Sequence, residues 1–277
     1  MTALPARATA VPISARPWIA LVIGSAVGVM AFCWPLIVSP GPAGAPRIDS
    51  PLLFVAILPI LVATLVIELT AGRMDAKAIS MLGVLAALGA AMRPLGAGTA
   101  GVETVFVLLV LGGRAFGPGF GFVLGPVTLF ASALLTGGVG PWLPFQMLAA
   151  GWVGLGAGLL PRVRGKREGL LLAAYGTAAA FGYGLAMNLW FWPFAAGLHT
   201  ALSLVPGDPI LENLGRFLLF SLATSMGWDL GRAITTIALM AILGPTILGA
   251  LRRAGRRAAF GAAPRFATRD TADGVSP

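Results

Sequence analysis

Long apolar stretches follow one another along this chain, each closed by glycine, proline or charge. The first runs over residues 18–38 and the second over 52–71, followed by the polar hinge Gly72-Arg73-Met74-Asp75-Ala76-Lys77. The third, 78–92, is short and rich in small residues. It stops at Arg93-Pro94, and Gly96-Ala97-Gly98-Thr99-Ala100-Gly101 reads as a loop. The fourth covers 102–113, the fifth 116–136, the sixth 142–160 and the seventh 169–192, with a basic loop at 161–168. Residues 193–211 form the longest irregular stretch, and 211–250 is a 40-residue apolar region. As one helix it would measure ~60 Å, against a hydrocarbon core of ~30 Å. The pattern therefore predicts a surface or re-entrant helix over 211–226, a break at Gly227 and an eighth span over 228–250. A spanning helix takes ~20 residues. The reading is an all-α integral membrane protein of about eight transmembrane helices.

Composition supports this. The 277 residues are 57% hydrophobic and 10% charged, where a soluble domain is ~45–50% apolar and ~25% charged. The 38 glycines and 21 prolines sit largely in or between the apolar runs, and helix breakers are tolerated in transmembrane helices. The net charge of +9, almost all arginine, reads first as the positive-inside rule. With the N-terminus inside, 15 of the 19 cations fall in inner segments, leaving Arg47, Arg93, Arg216 and Arg232 outside or at outer ends. That bias predicts an even number of spans, both termini cytoplasmic, in the plasma (inner) membrane. The chain divides into a cytoplasmic tail (1–17), two helices over 18–72, a six-helix core over 73–250 and a basic tail read as disordered (251–277). A competing reading, cleavage at Ala43-Gly44-Ala45, would leave seven spans; the run 18–38 is longer than the usual ~7–15-residue signal core.

Small residues recur every four positions: Gly83, Ala87 and Ala91 on one line of the third run with Ala86 and Ala90 beside it, Gly117, Gly121 and Gly125 in the fifth, and Ala150, Gly154 and Gly158 in the sixth. Such faces let helix backbones approach closely. They serve packing within the chain or docking to another membrane subunit. For docking, Gly83, Ala87 and Gly121 lie in the inner halves of their spans.

Aromatic and polar groups gather at the outer ends. Trp34, Trp142, Trp190, Trp192 and Trp228 make either an interfacial belt or the lining of a cavity for a flat organic ligand. Arg93, Glu103, Gln146, Asn188, His199, Asp229 and Arg232 share that level, and polar groups at membrane depth rarely face lipid. The candidate binding residues are thus Arg93, Glu103, Trp142, Gln146, Asn188, Trp192, Asp229 and Arg232. Asp229 and Arg232, three apart, share a helix face and either brace each other or hold ligand. Glu68 reads as a solvated or paired helix end.

Catalytic chemistry finds no support. Paired carboxylates on one span and a GxxxxGK[ST] run are missing from the sequence, and His199 has no obvious nucleophile partner, so any ATP-driven step needs another subunit. One cysteine, Cys33, and one histidine exclude an intrachain disulfide and a two-histidine metal site. No cofactor is called for, and no DNA-binding motif accompanies the positive charge.

Leu111-Gly112-Gly113-Arg114-Ala115-Phe116-Gly117-Pro118-Gly119-Phe120-Gly121-Phe122-Val123-Leu124-Gly125, followed by Gly138-Val139-Gly140-Pro141-Trp142-Leu143-Pro144-Phe145 and a Gly-rich run to residue 160, resembles the substrate-binding S component of energy-coupling factor (ECF) vitamin transporters. Trp228-Asp229-Leu230-Gly231-Arg232 at the start of the last helix is similar too. The resemblance covers about 175 residues and departs from the six-helix pattern in the two helices before residue 72. It implies a non-enzymatic subunit that binds a small vitamin-like molecule under the outer loops 93–102, 137–141 and 193–211. It also implies partners, a membrane T component and two cytoplasmic ATPases, and makes Gly83/Ala87/Ala91 the T-docking face. The subgroup most resembles predicted cobalamin transporters, with thiamine, riboflavin, biotin or another heterocycle open. The rival reading is a self-sufficient secondary transporter of a small organic molecule. That would need embedded coupling carboxylates and internal repeats, and the chain offers only Glu68, Glu103 and Asp229.

Overall fold

A computed structural model describes residues 15–37, 50–70, 74–96, 99–195 and 200–258, and every regular element among them is helical. In chain order they are α1 (Ala15–Phe32), α2 (Trp34–Ile37), α3 (Ser50–Thr70), α4 (Ala76–Met92) with a 3-10 turn Arg93–Gly96, α5 (Val105–Phe116), α6 (Pro118–Thr136), α7 (Leu143–Leu159), α8 (Lys166–Ala195), α9 (Ile210–Thr224), α10 (Met226–Ile242) and α11 (Gly244–Ala258). The apolar runs of the sequence are helical, the first interrupted at Cys33 and the last region divided among α9, α10 and α11. Their ends follow local chemistry: the Asp75 carboxylate accepts from the Ala78 N–H at 2.8 Å and caps α4. Gly117, at φ +102, turns the chain between α5 and α6 in a conformation that side chains resist, and Pro118 then opens α6 at a position that needs no N–H donor.

Helix α5 is the axis of the core. Its residues from Val105 to Gly113 are all buried, among α6, α7, α8, α10 and α11. Its own Phe106 and Phe116 are fully enclosed, as are Phe120 and Phe122 of α6 and Phe145 of α7. Helices α6 and α7 approach most closely. A Cβ on Gly121 would strike the Gly154 carbonyl, and one on Gly154 the Gly121 carbonyl. The small-residue lines of α6 and α7 are therefore spent on each other, and Gly121 does not belong to an outward docking face. On α4 the two lines part. Ala86 and Ala90 are buried, whereas Gly83, Ala87 and Ala91 are exposed with Val84 and Leu88 beside them.

Among the described residues, three helical segments are long and apolar enough to cross a membrane: Ala76–Gly96, Pro118–Thr136 and Lys166–Phe194. The pair α10 and α11 makes a fourth if counted as one span. The apolar parts of α1 and α3, and all of α5 and α7, are shorter. At twelve residues α5 reaches about 18 Å, and its enclosure by other helices frees it from matching the bilayer.

Three expectations need correcting. The last span does not run straight over 228–250: it bends by 66° between α10 and α11, where Gly244-Pro245 interrupts the hydrogen-bond ladder. The basic segment after 250 is not a disordered tail at its start, because α11 continues to Ala258 with Leu248 and Leu251 buried. The break before α10 falls at Ser225 rather than Gly227. Residues 259–277, 1–14, the Ala43-Gly44-Ala45 segment and His199 lie outside the described residues.

Candidate functional site

Helices α4, α6, α7 and α10 and the segment before α5 meet at one end of the bundle around a cavity of about 270 Å³. Its lining includes Arg93, Glu103, Trp142 and Gln146, four of the eight residues expected there, together with Ser132, Thr136 and Trp228. Trp142 and Trp228 are 42% and 48% exposed and flank the opening. Arg93 follows the last turn of α4, and one guanidinium N–H reaches the Gln146 carbonyl at 3.3 Å, its only hydrogen bond or ion pair among the described residues. Ser132 Oγ is buried without a hydrogen-bond partner among the described residues. The cavity lining thus holds a cation without an ion pair and a buried hydroxyl without a hydrogen-bond partner among the described residues. Sequence reading missed Ser132 and Thr136. The available signal was their spacing of four, which puts both on one face of the last turns of α6.

Arg232 lies behind the cavity and is fully engaged. Its Nε donates to Glu103 Oε2 at 2.9 Å, Nη1 donates to Asp229 Oδ1 at 2.6 Å and to the Ala180 carbonyl at 3.1 Å, and Nη2 approaches Glu103 Oε1 at 3.4 Å. The guanidinium also lies over the Phe106 and Tyr183 rings, 5.4 and 5.1 Å from their centroids. Of the two roles open to Asp229 and Arg232, this geometry is a brace, with Glu103 as its third member and the one that reaches the cavity. Glycine makes room for it: a Cβ on Gly184 of α8 would overlap the Asp229 carboxylate. The segment 99–104 rests directly on α10, since a Cβ on Gly231 would strike the Ala100 carbonyl and one on Gly101 the Trp228 carbonyl. Thr104 ties the segment back to α4 through the Met92 carbonyl at 3.0 Å.

Asn188 and Trp192 stand apart from the cavity. The Asn188 carbonyl accepts from Ser225 Oγ at 2.9 Å, holding α8 to the junction of α9 and α10. Trp192 is fully buried against Phe217, with its indole N–H donating to the Leu202 carbonyl at 2.6 Å. Trp190 is stacked on Phe145 at 4.5 Å, and Trp34 lies against Phe194. Of the five outer tryptophans, two reach the cavity and three build the scaffold. Glu68 is not a solvated end: it is 5% exposed, and Oε1 has no hydrogen-bond partner among the described residues.

The opposite end is organised differently. Glu168 at the start of α8 receives Arg114 Nε at 2.7 Å and Arg252 through two bonds of 2.6 and 2.9 Å, while Arg114 also reaches the Leu160 carbonyl at 2.9 Å. One carboxylate therefore joins α5, α8 and α11, and the side chains of Arg114 and Glu168 are only 6% and 8% exposed.

Residues 77–251, well over half of the chain, match the family described as ECF transporter, substrate-specific component. Neither a curated protein nor a solved structure matches the chain.

Proposed function

Because the chain belongs to the ECF transporter substrate-specific component family, we propose that the cavity beside Arg93 and Glu103 is where it takes its substrate. Membership makes the chain a multi-pass membrane subunit that binds a small molecule for import, not an enzyme, and its partners are a T component and ATPase subunits. The observation that carries the site is the cavity itself, about 270 Å³, with Arg93 free to bind and two tryptophans at its opening. Small-molecule sites run from about 300 to 1,000 Å³ and combine apolar walls with a few placed polar groups.

The size favours a single heterocycle with an anionic or carbonyl group toward Arg93 and a donor toward Glu103. A corrinoid is several times larger than this space, so cobalamin is the less favoured substrate. Two further elements complete the proposal. The chain has eight spans with both termini cytoplasmic, on the strength of its apolar runs and the 15-of-19 charge bias. The exposed Gly83/Ala87/Ala91 line of α4 docks the T component, because it is a small-residue face that the described residues leave uncovered. Mass spectrometry of the molecule that co-purifies tests the substrate reading, followed by its titration into Arg93→Ala. A co-purified heterocycle that binds Arg93→Ala as tightly as wild type would move the site elsewhere. A reporter fused after Arg257 that reads out as extracytoplasmic would refute the topology.

A further inference from the structure

Helix α11 leaves the line of α10 by 66° and passes across the end of the bundle away from the cavity. Leu248 and Leu251 are buried, Arg252 is held by Glu168, and the Ala258 carbonyl accepts from Lys77 Nζ at 2.8 Å at the start of α4. These three attachments fix how the helix is rotated. Arg253, Arg256 and Arg257 then project on the uncovered side, and their spacing of three and four puts them on one face within a single turn. All three are exposed, and none makes a hydrogen bond or ion pair among the described residues. The exposed Arg162, Arg164, Lys166 and Arg167 lie just before Glu168, equally without partners. Glu168 cannot neutralise them, since both its oxygens are taken by Arg114 and Arg252.

We propose that the Arg253/Arg256/Arg257 face of α11 binds the phosphate headgroup of an anionic phospholipid in the leaflet at this end of the bundle. Position favours lipid over a protein partner. The helix directly continues an apolar one, and Ile242 and Leu243 at the bend are 72% and 43% exposed, as residues facing lipid would be. A stable protein interface needs an apolar or aromatic centre within its charged rim. Here the apolar side of α11 is already spent on its own bundle, which leaves guanidinium alone. Arginine bonds phosphate through paired N–H groups, and juxtamembrane cations are drawn to anionic headgroups. The proposal does not depend on the substrate.

The test uses the full chain, purified alone, with phosphatidylglycerol as the probe and phosphatidylcholine as the neutral control. Retained lipid is read by native mass spectrometry and by titration. Wild type retains phosphatidylglycerol selectively. At about 1 kcal/mol, or roughly fivefold, for each cation near an anionic surface, the triple variant R253Q/R256Q/R257Q loses on the order of a hundredfold in affinity. The triple lysine variant R253K/R256K/R257K keeps most of it, and its retention falls as salt rises. Wild-type affinity in the glutamine variant would overturn the proposal. So would retention by the lysine variant that ignores salt, a readout that holds if the glutamine variant does not fold. A glutamine variant that keeps the lipid but fails to assemble with the T component or ATPases would assign the face to a protein.

Discussion

The two ends of this bundle handle charge in opposite ways. At the cavity end most of the cations are neutralised inside the chain: Arg232 by Glu103 and Asp229, and Arg216 by Asp208 at 2.7 Å with Glu212 nearby. Arg93 is left with a single weak amide contact. At the other end one buried carboxylate ties two arginines together, and seven exposed cations have no partner among the described residues. A site that must admit a molecule and hold it in a defined pose benefits from charges already braced, with one left free. A membrane-surface face benefits from charges left open. The difference fits the two proposals, with selection of a ligand at one end and attachment to the surroundings at the other.

The strongest way to break this comparison is to remove the centre of the brace. Arg232→Ala leaves buried Asp229 and half-buried Glu103 as like charges without a counter-ion. Breaking a buried pair by deleting one partner costs about 3–5 kcal/mol, and we expect a loss of that size in unfolding experiments in detergent. The triple variant in which Glu103 and Asp229 also become neutral should recover much of it. Near-wild-type stability in Arg232→Ala would mean that solvent already screens these charges. At the other end, Glu168→Ala frees Arg114, whose side chain is 6% exposed, and releases α11. Arg252 is 39% exposed and returns to water at little cost, so the expected loss is smaller, about 2–3 kcal/mol. A larger loss than for Arg232→Ala would reverse the ranking of the two ends.

Much of this architecture is readable along the chain, and the exceptions share a cause. Helices α4, α6 and α8 follow from apolar length, because glycine, proline or charge closes each run. The bend before α11 does not, since hydropathy is continuous through it. Pro245 marks the place, yet Pro59, Pro126 and Pro193 lie inside helices that continue past them. Proline alone cannot decide. The site divides similarly. Distance along a helix gives the level of a residue, so Arg93, Glu103, Trp142 and Gln146 could be placed at the cavity end. Asn188 and Trp192 lie near that level too but turn to α9 and its junction with α10. Rotation about the helix axis, about 100° per residue, is decided by packing partners that the pattern of one helix does not name. Small-residue spacing has the same ambiguity: it is alike in α4 and α6, and only the neighbours show that Gly121 is covered and Ala87 is not.

The third expectation concerns the charge left free. Arg93→Ala removes one contact to Gln146 and no ion pair, so stability should change by less than about 1 kcal/mol. Ligand affinity should fall by about 10- to 150-fold, the equivalent of a charge-assisted bond worth about 1.5–3 kcal/mol. Calorimetric titration separates the two effects. A fall in stability with affinity unchanged would make Arg93 part of the brace and erase its contrast with Arg232.

The smallest expected change in stability is the most informative about assembly. Ala87→Trp adds a large ring to a face of α4 that is open, so the isolated chain should lose less than about 0.5 kcal/mol, as surface substitutions do. Gly121→Ala adds one carbon where the Gly154 carbonyl already stands, and overpacking of that kind costs about 1–3 kcal/mol. The small change should therefore harm the fold more than the large one. Transport should reverse the order. If the α4 face meets the T component, Ala87→Trp holds apart two helices that must approach closely, abolishing uptake while ligand binding stays intact. Uptake and binding measured on the same preparation distinguish the outcomes. Unchanged uptake in both Gly83→Trp and Ala87→Trp would leave that face to lipid, whereas a fall in ligand binding would mean that α4 transmits packing to the cavity through Arg93 at its end.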